Sequence, residues 1–207
     1  MYRQDVIYHF KSHNHIHIMT EKLIYTLNEI THFSDEELTL IEPFFERITL
    51  DKNEILLEEG QNCTTFFWIE SGMLRNYYNN DGLDVNLSFA FENQFTTNFE
   101  AYINREPSKT IIQAMEKTNV WIVNARGFSN EYGSSTTFST FMRRLAIRLL
   151  MTTEEHHNMM RMNTPADRYH YIVEKRPELV QRVSLTHLAS YIGISRETLS
   201  RIRSNTY

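Results

Sequence analysis

Near the C-terminus, Arg196, Glu197, Ser200, Arg201 and Arg203 gather hydrogen-bonding side chains into one short stretch. These residue types suit the reading of nucleic-acid bases. Arginine donates two parallel hydrogen bonds to guanine, glutamate accepts from cytosine, and serine bonds base or phosphate. A surface helix with ordinary charges has the same residue types, so the pattern alone leaves both uses open. What distinguishes them is how the neighbouring residues present the group.

Those neighbours predict two short helices. Ser184 is suited to cap the first, along which Leu185, Leu188, Ala189 and Ile192 recur at helical spacing. Gly193 supplies the left-handed residue that ends it. Ser195 can cap the second, one turn before Thr198, and Leu199 and Ile202 give that helix a narrow apolar side. The result is a helix-turn-helix whose second helix, over 195–205, turns its polar face outward.

The run Gly193-Ile194-Ser195-Arg196-Glu197-Thr198-Leu199-Ser200-Arg201 resembles the turn and recognition helix of the Crp/Fnr family of bacterial transcription regulators. The resemblance implies that Arg196, Glu197 and Arg201 contact base edges, and that Ser184 and Thr186 lie where the first helix meets phosphates. With Ser195, Ser200 and Arg203 they make up the expected DNA contacts. A homodimer on palindromic double-stranded DNA, a contact with RNA polymerase and control by an unknown small-molecule effector are further implications. Many members continue into a β-hairpin wing. Here the sequence stops at Tyr207, just after the recognition helix, which implies a wingless branch or a truncated chain.

At 207 residues the chain has room for one larger and one smaller domain, and 41% apolar residues suffice for a core. No apolar run approaches the ~18 residues of a membrane span. There is no secretory signal pattern, and one cysteine, Cys63, rules out an internal disulfide framework, so a cytoplasmic location without membrane partners is expected. The net charge is −5, but eight of the 21 Lys/Arg and only four of the 26 Asp/Glu fall from Arg161 onward. Local positive charge is what duplex binding needs. Paired carboxylates in a glycine-rich setting, a metal triad and a nucleophile elbow are all missing, which argues against an enzyme.

Residues 1–18 are expected to be a disordered extension. Their histidines, His9, His13, His15 and His17, alternate in a way that could converge on a transition metal, but Met19 opens a segment that reads as a natural start. From Thr20 the pattern turns helical, with Leu23, Ile24, Leu27 and Ile30 in one stripe, and Ser34 then caps a second helix that Pro43 limits. A β region begins near Ile48. Candidate strands are 55–57, 65–70, 73–78, 85–90, 110–116 and 120–124, with the Asn80-Asp81-Gly82 turn as the strongest hairpin signal. Antiparallel barrel or sandwich is what these features imply.

Within that region, Glu58-Glu59-Gly60 and Phe67-Trp68-Ile69-Glu70-Ser71-Gly72 resemble the glycine-marked turns of the cyclic-nucleotide-binding β-roll, the sensor domain of the same family. The implied fold class is α+β: a jelly-roll-like antiparallel β-roll over 19–133, a dimerisation and connector helix over 134–163, and a helix-turn-helix domain over 164–207. The nucleotide does not carry over as well. Aligned through Phe95 and Ala114, the positions for the ribose glutamate, the phosphate arginine and its small polar neighbour are Asn98, Ser108 and Lys109, and Thr97 replaces a glycine. Cyclic nucleotide is therefore disfavoured, and an altered or vestigial pocket is expected, closed by a helical or irregular loop over 96–110. Thr96, Asn98, Glu100, Arg105, Lys109 and Gln113 are its candidate polar groups. One cysteine excludes an iron–sulfur cluster. Histidine and methionine are present for a haem, though no pattern selects an axial ligand, and no cofactor is predicted.

A long helix is predicted from Ser134 to about Asn163. Met142, Leu145, Leu149, Thr152, His156 and Met159 alternate spacings of three and four along it, the register of helix pairing. The resemblance makes this the dimer seam; packing on the β-roll of the same chain is the alternative. Glu155, His156 and His157 are expected to be solvated. Pro165 suits the first turn of a further helix, which Pro177 ends. The competing function is a ligand-binding sensor or protein-docking module without sequence-specific DNA binding.

Overall fold

The computed structural model describes residues 19–162 and 164–206. The four histidines of the N-terminal extension lie outside them. Helix α1 (Glu21–Ile30) is capped by the Thr20 hydroxyl, and α2 (Asp35–Ile41) by a reciprocal capping box between Ser34 and Glu37. A 3-10 turn over Glu42–Phe44, with Pro43 at its start, leads into the sheets.

The roll consists of β1 (Phe45–Leu50), β2 (Ile55–Leu57), β3 (Phe66–Ser71), β4 (Leu74–Asn80), β5 (Leu83–Ala90), β6 (Phe95–Thr96), β7 (Ile111–Ala114) and β8 (Thr118–Val123), with the short helix α3 (Phe99–Asn104) between β6 and β7. They form two antiparallel four-stranded sheets, ordered β1-β8-β3-β6 and β2-β7-β4-β5. Strands β3 and β8 are buried on both faces. Phe67, Ile69, Val120 and Ile122 point between the sheets towards Leu74 and Ile112, while Phe66, Trp68, Trp121 and Val123 point outward under the helices. That double burial explains why their sequences read as unbroken apolar runs. Gly72 turns β3 into β4 at φ +95°, and a Cβ there would lie 2.7 Å from the Thr118 Cα, so the turn requires glycine.

The β region starts at Phe45, earlier than its residue pattern predicts. In FERITL only Phe45 and Leu50 are buried, and pairing with β8, rather than apolar periodicity, makes it a strand. Two further elements had no clear sequence signal: the two-residue β6 and helix α4 (Ala125–Tyr132), capped by Asn124.

Helix α5 (Thr136–Met160) begins at a Ser135 cap and lies against α1, sharing with it and the outer faces of β3 and β8 the core of Leu23, Leu27, Phe138, Phe141 and Leu145. Beyond it come α6 (Pro165–Lys175), α7 (Pro177–Arg182), α8 (Leu185–Tyr191) and α9 (Arg196–Thr206). Pro177 starts α7 as well as closing α6, because a first-turn position needs no N–H donor. The core of these last helices includes Met73, Phe89 and Phe91 from the roll. No helix among the described residues is long and apolar enough to cross a membrane.

Candidate nucleic-acid interface and effector cavity

The C-terminal helix pair is held from within. Ser184 accepts the His187 N–H at 3.2 Å, and Ser195 accepts the Thr198 N–H at 3.1 Å, so both serines cap helices. Gly193 sits between at φ +69°. Leu188, Ala189, Ile192 and Leu199 are buried in the shared core, which fixes the rotation of α9 and points its other side to solvent. Arg196, Glu197, Ser200 and Arg201 are exposed there and Arg203 is half-buried, while Ser184 and Thr186 are exposed at the start of α8. Among the described residues, Arg196, Glu197 and Arg201 enter no ion pair. The arrangement offers a protruding helix with uncommitted donors and an acceptor, as base reading in a major groove requires.

The stripe expected as a dimer seam is largely occupied within the chain. Leu145 is buried in the core with α1, with Met142 and Leu149 packed against it, and Met159 is buried in the core of the C-terminal helices. His156 donates its Nε2–H to the Tyr191 carbonyl at 2.9 Å and stacks on the Tyr191 ring at 4.3 Å, so it is half-buried rather than solvated. Thr152 is exposed and bonds its own helix. A row of apolar residues in the middle of α5 instead faces solvent: Ile147, Leu150 and Met151, 50%, 54% and 64% exposed. A spacing of three and four is the same for packing within or between chains, so sequence alone did not separate the two stripes.

A cavity of about 720 Å³ opens between the roll and α5, and Tyr191 of α8 reaches its wall. Thr96, Asn98 and Glu100 line it; Arg105, Lys109 and Gln113 do not. Arg105 is the exposed, left-handed C-cap of α3 at φ +58°, Lys109 pairs with Glu100 at 3.3 Å, and Gln113 bonds Arg75. Asn98 caps α3 through the Ala101 N–H, and its Nδ2 donates to Ser108 Oγ at 2.7 Å and Thr110 Oγ1 at 2.9 Å. Two of the three aligned nucleotide positions are therefore bonded to each other, and the third points to a carboxylate. Arg148 and Arg176, the guanidinium groups on the cavity wall, are bonded to the Glu29 carbonyl and to Glu178. The rest of the wall is mixed: Phe89, Phe95, Leu145 and Leu149 alternate with polar residues such as Thr26, Gln94, Thr153 and His157, and the Asn76 Oδ1 is buried beside it with no hydrogen-bond partner among the described residues. Among the described residues no cluster of His, Cys, Asp and Glu could hold a metal.

Residues 47–134 match the cyclic nucleotide-binding domain family. No curated protein matches the sequence. Among solved structures, a CooA mutant from Carboxydothermus hydrogenoformans is similar at a TM-score of 0.66 and 20% identity, covering 88% of this chain and 83% of its own. FixK2 from Bradyrhizobium japonicum is similar at 0.64 and 16%, covering 78% and 83%. A Eubacterium rectale protein assigned to the Crp/Fnr family of transcriptional regulators gives 0.64 and 16%, covering 82% of each chain. This chain has the Crp/Fnr fold.

Within that fold, residues that sequence reasoning passed over join the β-roll to the helix-turn-helix. Arg182, at the end of α7, places its guanidinium between Glu92, at 2.7 and 2.9 Å, and Glu116, and lies 5.2 Å over the Phe91 ring. Arg182 holds the Glu92 carboxyl well below its ordinary range, at about 2. Burial pushes the Tyr191 phenol up to about 12, so it stays neutral. Arg75 was the signal that could have been noticed: a lone charge in a strand whose neighbours Met73, Leu74 and Tyr77 are apolar and buried.

Proposed function

We propose that this protein is a homodimeric transcription regulator that reads a two-fold symmetric DNA site with α9. The observation that carries the proposal is the outer face of α9, where Arg196, Glu197 and Arg201 stand exposed and uncommitted on a helix whose other side is locked in a core. Arg196 and Arg201 suit guanine, Glu197 suits cytosine, and Ser184 and Thr186 suit flanking phosphates. The exposed row Ile147, Leu150 and Met151 on α5 supplies an apolar surface for a second copy. A dimer so formed sets its two α9 helices in successive major grooves, about 34 Å apart. The cavity is the effector site. Its mixed wall, with Phe89, Phe95, Leu145 and Leu149 among polar residues, and its self-bonded Asn98–Ser108 pair favour a partly apolar molecule with a hydrogen-bond donor for Asn76 over a cyclic nucleotide. The regulator works in the cytoplasm, contacts RNA polymerase, and needs neither a catalytic site nor a resident cofactor.

The test is selection of duplexes from a random pool by the purified protein, followed by binding across a salt series. A regulator enriches a palindrome, and its affinity falls steeply as salt rises because phosphate contacts release counterions. Failure to retain any duplex at low salt would instead favour a ligand sensor or protein-docking module.

A further inference from the structure

The helix-turn-helix is seated on the roll through a buried cation. Arg75, on β4, is 6% exposed. Its Nε and Nη2 donate to Gln113 Oε1 at 2.9 and 2.7 Å, Nη2 also to Asp84 at 2.8 Å, and Nη1 to Asn86 Oδ1 at 3.3 Å. The same Nη1 lies 3.2 Å from His187 Nδ1 on α8. A guanidinium has donors only, so Nδ1 accepts and His187 is held as the neutral imidazole with its proton on Nε2. Asn86 Nδ2 also donates to the His187 carbonyl at 3.3 Å. One turn on, Ser190 donates to the Asp84 carbonyl at 2.8 Å and accepts the Asn86 N–H at 3.0 Å. Both helix residues therefore dock on the same short stretch of β5.

We propose that this seat is a proton-released latch: neutral His187 accepts from Arg75 and holds α8 on the roll, and protonated His187 lets the helix-turn-helix leave it. Protonation places an N–H on Nδ1, facing a guanidinium that is fixed by three other partners, so an attraction becomes a like-charge contact in a half-buried site. Arg75 of β4 and Asp84 of β5 are the charged groups that act on His187. Its own helix carries no other charged residue, and α9 meets α8 through the apolar core of Leu188 and Leu199. Burial and Arg75 lower the His187 pKa, and Asp84 opposes them. Because the docked form prefers the neutral ring, docking is complete above the free histidine pKa of about 6.5 and weakens as pH falls from there through the lowered docked value. Glu92 remains ionised across that window, so the Arg182 clamp stays closed and acts as the pivot. Half-buried His156 on α5, which bonds and stacks on Tyr191 at the end of α8, is also shifted downward by burial.

The latch also borders the cavity. Leu87 is an extra residue in β5, at the register shift where Asn76 faces Ser88 but Tyr77 faces Asn86. Leu87, Ser88 and Phe89 line the cavity, while Asp84 and Asn86 hold α8. The proposal rests on the DNA-binding reading only for its consequence, which is the orientation of α9, and the motion is measurable without DNA.

The test uses the full chain with Cys63→Ser and nitroxide labels at Lys52→Cys on the roll and Ser204→Cys on α9, all three otherwise unaltered in the latch. The distance distribution between the labels is measured at about pH 7.5 and about pH 5.5. The parent should shift to a longer, broader distribution at the lower pH. His187→Asn, whose Oδ1 replaces Nδ1 as acceptor and does not titrate, should keep the short distance at both. His187→Lys should give the broad distribution at both. An unchanged parent, or His187→Asn shifting as far as the parent, would overturn the latch. The His187 ring resonance, followed by NMR in the parent, should titrate below free histidine; titration at the free value would also overturn it.

Discussion

Two polar clusters in this molecule have opposite bookkeeping. Around Asn98, the amide, the Ser108 and Thr110 hydroxyls and the Ala101 N–H are bonded to one another, and Asn98 and Ser108 are buried. On α9, Arg196, Glu197 and Arg201 are exposed and enter no ion pair among the described residues. A buried amide costs free energy unless it is bonded, whereas an exposed charge is satisfied by water until a better partner arrives. The first cluster has the architecture of a ligand site but uses its polar groups to hold a loop. The second uses none of its own for structure and can give them all to a partner. Residue type marked both as candidate sites; only the hydrogen-bond partners separate them.

The strongest way to break the comparison is to remove what presents the second cluster. Leu199→Ala leaves a cavity beneath α9 and should cost about 2–5 kcal/mol, read as a lower Tm for the helical circular dichroism signal. Duplex binding should be lost with it. If binding survived at full strength, the rotation of α9 would not be set by this core.

The two clusters should then respond in opposite ways to single substitutions. Asn98→Ala orphans the Ala101 N–H and removes the donor to the Ser108 and Thr110 hydroxyls, of which Ser108 keeps its bonds to the Thr110 backbone, and should destabilise the roll by about 1–3 kcal/mol, with duplex affinity unchanged. Arg201→Ala should do the reverse: no change in Tm, a loss of about 1–3 kcal/mol in specific binding, and relaxed preference at one position per half-site. Equal weakening on all sequences would assign Arg201 to phosphate.

The elements with strong local signals were legible beforehand. Ser184, Gly193 and Ser195 mark the ends of α8 and α9 by cap chemistry that depends only on adjacent residues, and the structure places all three in those roles. The short strands and turns were readable as an antiparallel barrel or sandwich, and the α+β roll followed from the resemblance carried by the turns at Gly60 and Gly72. What escaped was set by distant partners. Strand β1 owes its form to β8. The inward turn of Leu145 and Met159 depends on α1 and α6, and the Arg75–His187 contact spans residues more than a hundred positions apart. Arg105, Lys109 and Gln113 had suitable chemistry for a pocket but no signal for direction, and chain geometry points them elsewhere. A spacing pattern says that a face is buried, not against what.

The smallest expected effect is the sharpest check on the closed cluster. Lys109 stands at a position where the nucleotide-binding pattern contacts the cyclic phosphate, yet here it pairs with Glu100 at 3.3 Å, with side chains 72% and 63% exposed. Exposed ion pairs of this kind contribute little, because both charges are well hydrated and two long side chains lose freedom in pairing. Lys109→Ala should therefore shift stability by less than about 0.5 kcal/mol. It should also leave unchanged the response of the parent to added cyclic AMP, which is expected to be no rise in Tm. The two results bear on different claims. A stability loss would mean that the pair anchors α3 more firmly than its exposure implies. A rise in Tm with cyclic AMP that Lys109→Ala abolishes would mean that the Asn98 cluster opens to admit a phosphate, and the contrast between a closed roll site and an open helix face would fail.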